Sequence, residues 1–377
     1  MTAESTLYLG LISGTSADSI DAALVGFEGG APRVHATYAH PWPADLRQRM
    51  LALMQDELSL NLDAFGRLDV EIAHCFAEAA LLLLEQSDTP ASAVRAIGSH
   101  GQTIRHRPSG SYPFTLQMGD ASVIAERCRI DVVADFRRAD VAAGGQGAPL
   151  LPALHAMLLA TKGNARVVLN LGGIANITVL NTNGTVLGFD TGPANGLLDA
   201  WCMRHRGESF DSDGHFASLG RVDIPLLDTL LADTYFAQPP PKSTGREHFH
   251  LGWLTAHSRV ADLSPADVQA TLLELTARSV SEAIAQQTPA TADVLACGGG
   301  VHNGRLMHRL AQLLTPRKLG STADHGIDPD FLEATAFAWL ARQRLLGLPG
   351  NLAAVTGARG PRVLGAIYSA PSEDVSA

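Results

Sequence analysis

The sequence predicts an α/β protein built from two related domains. The chain has 377 residues, which is more than one hydrophobic core usually organises. Apolar runs typical of strands alternate with longer stretches of helical periodicity. A meander of three strands opens the chain, and a second meander of the same design begins at Arg166. We therefore place one domain at 1–135 and the other at 136–377, with a last strand near 362–368 that returns to the first domain.

The first half of the chain begins with strands. Apolar runs at Leu7–Ser13, Ile20–Glu28 and Arg33–Trp42 predict three of them, and their short links favour antiparallel pairing because crossover helices would not fit. A helix is predicted at Leu62–Glu85, where apolar side chains recur on one face. These side chains belong to Leu68, Ile72, Cys75, Phe76 and Ala79. The stretches VRAIGSHGQT, YPFTLQMGD and RIDVVADFR are short apolar runs that end in polar or glycine-containing turns.

The second half repeats this order. A helix at Leu150–Thr161 precedes the second meander, Arg166–Asp190, in which Asn183-Gly184 is a strong hairpin signal. The proline-rich segment Ala237–His250 predicts a surface loop, and a strand in ADVLAC leads into a triple glycine. The other helices are predicted at Asn195–Arg206, Pro265–Gln287, His302–Leu314 and Pro329–Leu346.

Composition and charge exclude several classes of function. The formal net charge of −10 argues against general binding to nucleic acid or to anionic membranes. No apolar run is long enough to span a bilayer, and no basic segment followed by an apolar one opens the chain, so we expect a cytoplasmic protein without a signal peptide. The tail after Glu373 is expected to be disordered. The four cysteines form no CxxC pair, which favours reduced thiols over a zinc site or disulfides. They are Cys75, Cys128, Cys202 and Cys297.

The first meander contains an unusual turn, in LGLISGTSADSID. Gly14, Thr15 and Ser16 are small residues whose amide groups can converge on an anion, as phosphate-binding turns do. Asp18 and Asp21 are suited to holding the hydration shell of a magnesium ion. An ordinary hairpin with Asx and Ser turns is the alternative for this segment taken alone.

Two further glycine elements strengthen the phosphate hypothesis. Gly172 and Gly173 lie in the corresponding turn of the second meander, so the two turns would clamp a polyphosphate. Gly298–Gly300 follows a strand and precedes a helix, where a backbone without side chains lets a nucleobase or ribose approach. Together the three elements predict an ATP site between duplicated domains. It is not a Walker-type site, because the sequence contains no GxxxxGK[ST].

An ordered set of motifs then resembles one family. SGTSADSID, GSHGQTIRHRP, DFRRADVAAGGQGAPLLP, NLGGIANIT, GFDTGPAN, CGGGVHN and EATAFAWLA are similar to the motifs of anhydro-N-acetylmuramic acid kinases, in the actin, Hsp70 and sugar-kinase superfamily. The likeness covers essentially the whole chain. It implies two ribonuclease-H-like (actin-like ATPase) domains flanking a central nucleotide cleft, with ATP and Mg²⁺ as cofactors and a homodimer as the assembly.

The resemblance also implies a reaction. Such kinases convert 1,6-anhydro-N-acetylmuramic acid, ATP and water to N-acetylmuramic acid 6-phosphate and ADP, in peptidoglycan recycling. The bicyclic sugar has no free 6-hydroxyl, so water attacks C1 while O6 leaves C1 and accepts the γ-phosphoryl group. Two alternatives remain: a kinase of the same superfamily that phosphorylates a free group on another sugar or a carboxylate, and an ATP-driven switch like actin or Hsp70.

The resemblance assigns roles to residues of this chain. Asp190, in GFDTGPAN, matches the catalytic base, although a carboxylate at the end of a strand is also suited to capping a helix. Glu333 joins Asp18 and Asp21 as a metal ligand acting largely through water, or is simply an acid in the first turn of a helix. The nucleotide-binding residues are expected to be Gly14, Thr15, Ser16, Ala17, Asp18, Ser19, Ile20, Asp21, Gly172, Gly173, Asn176, Gly298, Gly299, Gly300 and Asn303, with His302 beside them.

The sugar side is assigned in the same way. Arg137 has the planar donor geometry to pair with a lactyl carboxylate, and an ion pair with Asp135 or Asp140 is the alternative. For Asn303, which is expected to bind nucleotide, the alternative is that its side chain caps the following helix. The residues expected near the sugar are His100, Gln102, Arg105, Asp135, Arg137, Asp140, Gly145 and Asn195, with Gly144 and Gly147 in a loop that is either a substrate loop or a hinge.

Two positions depart from the usual family pattern. Ser19 and Ala194 stand where relatives commonly carry glycine. If Ser19 needs a positive φ, the strain costs about 1 kcal/mol and shifts the turn. Neither change removes a reacting group, so both concern turn geometry more than function.

Overall fold

The structure, a computed structural model, divides into two compact units. It describes residues 7–14, 16–28, 31–54, 58–161, 163–246 and 248–371. One unit comprises Met1–Met157 with Phe331–Ala377, and the other comprises Leu158–Asp330. The predicted boundary between 135 and 136 is therefore not where the structure divides. The reason is that residues 136–157 and the residues from Phe331 onward belong to the first unit.

The regular elements follow the predicted order closely. The strands are β1 Leu7–Ser13, β2 Ser19–Glu28, β3 Ala31–Pro41, β4 Val94–Arg107, β5 Phe114–Met118, β6 Val132–Ala134, β7 Arg166–Leu171, β8 Ile174–Leu180, β9 Val186–Pro193, β10 Asp293–Cys297, β11 Leu319–Ser321 and β12 Ala366–Tyr368. The α-helices are α1 Ala44–Met54, α2 Leu62–Gln86, α3 Ala121–Cys128, α4 Arg138–Ala142, α5 Pro152–Leu159, α6 Asn195–Arg206, α7 His215–Ser218, α8 Ile224–Leu231, α9 Thr234–Ala237, α10 Leu251–Thr255, α11 Pro265–Gln287, α12 Gly304–Leu314, α13 Leu332–Leu345 and α14 Ala353–Thr356.

Each unit contains one sheet, and the two sheets share an arrangement. The first has the order β12-β6-β4-β1-β2-β3, with β5 paired to β4, and the second has the order β11-β10-β7-β8-β9. In each, a three-stranded antiparallel meander is extended by parallel strands beside its first strand. This is the ribonuclease-H-like arrangement expected from the sequence. The predicted meanders and their antiparallel pairing are confirmed, and β12 pairs with β6 in the first sheet.

The first sheet is covered by helices because its central strands are apolar on both faces. Leu9 and Leu11 of β1 lie in one core with Ile72 and Phe76 of α2. Gly10 points to the opposite face, as alternation along a strand requires, and a Cβ there would overlap the main-chain oxygen of Ala334 in α13. The predicted apolar face of the long helix is confirmed, and α13 packs on β1 with main chain close to main chain.

The second sheet has its own core. Leu169 and Ile177, on neighbouring strands of the meander, pack with Leu272 of α11 and Leu306 of α12. Each of these side chains is almost fully buried. Helices α6 and α11 have the predicted bounds.

Several predicted helix boundaries are corrected. The helix expected at His302–Leu314 begins at Gly304, because Gly299–His302 forms a 3-10 turn first. The helix expected at Pro329–Leu346 spans Leu332–Leu345, and that expected at Leu150–Thr161 spans Pro152–Leu159. The tail after Glu373 lies outside the described residues. In the part of the chain that the structure describes, no helix is long and apolar enough to cross a membrane.

Candidate active site

The first glycine turn connects β1 to β2 and is tight. The amide of Ala17 donates to the carbonyl oxygen of Gly14 at 3.1 Å, and the indole of Trp42 donates to Ser13 Oγ at 3.1 Å. Ala17 is fully buried and has φ 50°, in the left-handed region. Thr15 lies outside the described residues. Ile20, expected to bind nucleotide, has a fully buried side chain in the core, so it supports the turn from beneath.

The strain anticipated at Ser19 is absent. Ser19 already belongs to β2, where it pairs with Pro41, and the residue with positive φ is Ala17. The Ser19 hydroxyl donates to Asp21 Oδ1 at 2.7 Å. Serine at this position is therefore compatible with the turn, because an extended residue does not need glycine.

The two aspartates of this turn are not a ready-made metal site. Asp18 is exposed and forms an ion pair with Arg47 at 2.8 Å. Glu333 lies in the first turn of α13 and is partly buried. Among the described residues, no three histidine, cysteine, aspartate or glutamate side chains are grouped to hold a metal ion. The residues present fit a hydrated Mg²⁺ held mainly by phosphate oxygens, not one enclosed by protein ligands.

Gln102 lies beneath the first glycine turn. Its side chain is fully buried, and Nε2 donates to the carbonyl oxygen of Gly14 at 3.2 Å. The parallel register of β4 with β1 causes this, because it places Gln102 opposite Ser13. Gln102 therefore supports the first glycine turn, and its expected contact with the sugar stays a prediction. Arg105, also expected near the sugar, donates to the carbonyl oxygen of Leu53.

The buried His100 pairs with Arg137, which is partly buried. Arg137 Nε donates to His100 Nε2 at 2.9 Å, while His100 Nδ1 donates to the carbonyl oxygen of Gly101 at 2.9 Å. Burial, reinforced by the Arg137 charge, holds the pKa of His100 well below its usual value. The imidazole is thus neutral and acts as an acceptor for the guanidinium. Arg137 Nη1 also donates to Gly147 O at 2.7 Å.

Asp140 is a buried carboxylate that holds several neighbouring segments together. It is fully buried, and its carboxylate accepts from Gly147 N at 2.7 Å, Asn351 Nδ2 at 2.6 Å and Thr356 Oγ1 at 2.7 Å. The amide of Gly145 donates to the Asp140 carbonyl at 2.9 Å. These bonds join the glycine loop after α4 to the segment around α14, and the expected contact of Asp140 with substrate stays a prediction.

Asp135, one of the two acids considered as an ion-pair partner for Arg137, has Arg138 as a partner. Asp135 has φ 62° and lies 3.5 Å from Arg138. Burial raises the pKa of Asp135, partly offset by that arginine. Gly144 and Gly147, which flank Gly145, both have positive φ. The loop thus has a defined conformation that follows from its glycines and from Asp140.

The second glycine turn is joined to the start of α6. The amide of Asn195 donates to Gly172 O at 3.1 Å, and the amide of Gly196 donates to Gly173 O at 3.0 Å. The Asn195 side chain donates to Leu171 O at 3.0 Å. Asn195 therefore holds the turn against the helix, and its expected contact with the sugar stays a prediction.

The triple glycine lies beside the second glycine turn, at the same edge of the sheet. Strands β7 and β10 are parallel neighbours, with Cys297 opposite Asn170. Gly298 has φ 79°, and a Cβ there would overlap Asn170 Oδ1, whereas nothing lies within 4 Å of such an atom at Gly299. The predicted proximity of these two elements is present within this unit. Only glycine satisfies both the backbone conformation and the close approach at position 298.

The residues after the triple glycine have clear structural roles. Asn303 caps α12, its side chain accepting from Leu306 N at 3.0 Å, which is the alternative considered from the sequence. His302 Nε2 lies 2.9 Å from Asp330 Oδ2.

Asp190 ends a row of polar residues across the second meander. Asn170 of β7 pairs with Asn176 of β8, which pairs with Asp190 of β9. Residues directly opposite in antiparallel strands project to the same face, so the row leads from Asp190 towards the triple glycine, where Asn170 approaches Gly298. Asp190 lies within the strand and does not cap the following helix, because β9 continues to Pro193.

The proline-rich loop forms the surroundings of Asp190. Thr244 N donates to Asp190 Oδ2 at 2.9 Å, Tyr235 Oη donates to the Asp190 carbonyl at 2.7 Å, and the Asp190 amide donates to Lys242 O at 3.2 Å. Lys242 Nζ donates to Tyr235 O at 3.0 Å and lies over that ring. Burial raises the pKa of Tyr235 and lowers that of Lys242. The segment predicted as a surface loop thus supports the candidate base.

These supporting residues were not predicted from the sequence. Tyr235, Lys242 and Thr244 lie some distance from Asp190 along the chain. The polar run KSTGR after the prolines was a signal for Lys242 and Thr244, and none pointed to Tyr235. Chemically, the arrangement presents a partly buried carboxylate held by the main-chain amide of Thr244 at the end of a polar row. Such a carboxylate is suited to accepting a proton from a positioned water.

Two comparisons with known proteins point to the same family. The family model described as anhydro-N-acetylmuramic acid kinase matches residues 6–370. The anhydro-N-acetylmuramic acid kinase of Xanthomonas campestris pv. campestris (strain 8004) is 56% identical over 369 residues, covering 97% of this chain and 98% of that protein. The enzyme of the same name from Coxiella burnetii (strain Dugway 5J108-111) is 48% identical over 363 residues, covering 96% and 97%.

Solved structures resemble the chain less closely. The activator of the 2-hydroxyisocaproyl-CoA dehydratase from Clostridium difficile, with bound ADPNP, is 12% identical and covers 90% of this chain and 96% of that one. Its TM-score of 0.45 is too low to add to the fold assignment made from the sheets.

Proposed function

Because this chain belongs to the anhydro-N-acetylmuramic acid kinase family, we propose that it opens 1,6-anhydro-N-acetylmuramic acid with water while it phosphorylates O6 from ATP. The products are N-acetylmuramic acid 6-phosphate and ADP. We place the reaction in peptidoglycan recycling, in the cytoplasm. Family membership and the kinase activity rest on matches over nearly the whole chain. The chemistry proposed below rests on the residues of this chain.

Asp190 is the proposed general base. It takes a proton from a water molecule whose oxygen bonds to C1 of the sugar. The C1–O6 bond breaks, O6 takes the γ-phosphoryl group, and ADP leaves. The observation that carries this assignment is a pair of hydrogen bonds at Asp190. Thr244 N donates to its carboxylate and the Tyr235 side-chain hydroxyl donates to its main-chain carbonyl, and together they fix a carboxylate at the end of the polar row.

The glycine turns are the proposed phosphate ligands. The amides of the Gly14–Asp21 turn and of the Gly172-Gly173 turn would face the phosphates, and Gly298–Gly300 would leave room for the nucleoside. A Mg²⁺ ion, held through water by Asp18, Asp21 and Glu333, would neutralise phosphate charge. A homodimer is the assembly expected from the family resemblance.

Arg137 is the proposed contact for the lactyl carboxylate of the sugar. Its guanidinium is already oriented by His100 and by the carbonyl of Gly147, so little side-chain freedom remains to be lost on binding. The Gly147 carbonyl belongs to the glycine loop that Asp140 holds. Through this main-chain oxygen the loop would help to orient Arg137 towards the substrate.

The test is product analysis with labelled water. The protein is incubated with Mg·ATP and the anhydro sugar in ¹⁸O water, and the phosphorylated product is identified by mass. We expect N-acetylmuramic acid 6-phosphate with the label at C1. A phosphorylated sugar without label would favour simple transfer to a free group. ATP hydrolysis that ignores the sugar and responds to a protein partner would favour a switch.

A further inference from the structure

Helix α1 carries two arginines with different surroundings. Arg49 forms surface ion pairs with Glu71 and Asp45. Arg47 instead reaches the first glycine turn, although the turn lies far from it along the chain. The three acceptors of Arg47 belong to consecutive residues: Ser16 O at 3.3 Å, Ala17 O at 2.7 Å and Asp18 Oδ1 at 2.8 Å.

These contacts determine where the turn presents its amide groups. In a trans peptide the C=O and the N–H point in opposite directions. With Ala17 O held by Arg47, the N–H of Asp18 is directed away from that arginine. Ala17 itself has φ 50°, a conformation that residues other than glycine rarely adopt without support from their surroundings.

The Asp18 carboxylate is also affected. An aspartate beside a phosphate-binding turn would repel a polyphosphate through like charge. Arg47 forms an ion pair with that carboxylate while it binds the two carbonyls. A guanidinium has several donors in one plane and can serve all three acceptors, which the compact ammonium of lysine cannot do in the same geometry.

We propose that Arg47 is a positioning residue for ATP: it holds the carbonyls and the carboxylate of residues 16–18 so that the turn directs the main-chain N–H of Asp18 at the phosphates. The proposal rests on the proposed function, in which this turn binds nucleotide phosphates. Arg47 acts through the turn and does not itself touch the reacting atoms.

The experiment compares Arg47→Lys and Arg47→Gln with Arg49→Lys, a matched control on the same helix. Steady-state kinetics gives KM for ATP and for the anhydro sugar, calorimetry gives Kd for ATP, and thermal unfolding gives Tm. For both Arg47 variants we expect KM and Kd for ATP to rise roughly tenfold, the factor given by loss of one charge-assisted hydrogen bond. KM for the sugar should stay within about twofold, because the sugar contacts are elsewhere.

The outcomes separate this proposal from the proposed function. If the parent protein makes the phosphorylated sugar and the Arg47 variants keep its affinity for ATP, the positioning role is wrong and the function stands. Equal rises in both KM values, or loss of folding in both Arg47 variants while Arg49→Lys folds, would show a purely structural role and also overturn it. If the parent protein binds no ATP, the proposed function and this role both fail.

Discussion

Three aspartates of the candidate site occupy three different environments. Asp140 is fully buried and accepts three hydrogen bonds from protein groups. Asp18 is exposed and paired with an arginine. Asp190 is partly buried and is held by the main chain of a loop. Asp190 combines an orientation fixed by a main-chain donor with partial access to solvent, and a general base for water needs both.

Replacing Asp190 with asparagine tests the base directly. Asparagine keeps the size of the side chain and an oxygen that can accept from Thr244 N, but it cannot take the proton of water. We expect kcat to fall by roughly 10²–10⁴, with KM for ATP little changed. Asp228→Asn, an exposed change on α8, is the matched control. A folded Asp190→Asn protein that turns over near the parent rate would remove Asp190 from this role.

The Tyr235 hydroxyl is expected to matter through the same aspartate. Tyr235→Phe removes the donor to the Asp190 carbonyl and leaves the ring in the core. Loss of one buried hydrogen bond should lower the free energy of unfolding by about 1 kcal/mol and kcat by a few-fold. Urea unfolding and initial rates measure both, with the exposed Tyr112→Phe as control. Unchanged stability and unchanged kcat would contradict the assigned contact.

At the scale of elements, close packing of main chain decides how α13 lies on the first sheet. Gly10 of β1 and Gly98 of β4 both face the helix, and a Cβ at either would overlap its carbonyl oxygens. The atoms in the way belong to Ala334 and Phe337, and backbone cannot give way as a flexible side chain can. The position of Glu333, in the first turn of α13, therefore depends on two glycines in strands.

A pair of glycine substitutions tests this packing. Gly98→Ala should lower the free energy of unfolding by about 3 kcal/mol or more, because helix and sheet must separate. Gly66→Ala is the matched control. Position 66 lies on the exposed face of α2 with nothing within 4 Å of an added Cβ, so alanine there should raise stability by about 1 kcal/mol. Urea unfolding of both variants gives the comparison, and equal stabilities would contradict the packing described.

At the scale of the whole molecule, local patterns could be predicted and distant contacts could not. The two meanders and the long helices follow from periodicity within short windows, which is why their bounds were nearly right. The role of Arg47, the loop around Asp190 and the burial of Gln102 depend on contacts between distant segments. The protein contacts of Asp140 and Asn195 could not be predicted either, because a motif shows which residues occur together and not where their side chains point.

Stability should fall in mild acid because the folded protein holds the pKa values of three histidines below their usual value. Burial, with Arg137 nearby, depresses the pKa of His100; burial lowers that of His106 to about 4 and that of His155 to about 3. All three lie in the first unit. The unfolded chain binds protons at these groups near pH 6.5 and the folded chain does not, so their contribution to stability is present above that pH and is lost as pH falls.

Urea unfolding at pH 7.5 and 5.5 measures the effect. Each neutral histidine should cost about 1.4 kcal/mol at pH 5.5, or about 4 kcal/mol together, and carboxylates contribute little in this window. Because His155→Gln removes one of the three titrations, it should reduce the loss to about 3 kcal/mol, while the exposed His215→Gln should leave it unchanged. Equal stability at the two pH values would mean that the buried rings accept protons in the folded protein. His100 could then not remain the acceptor that orients Arg137.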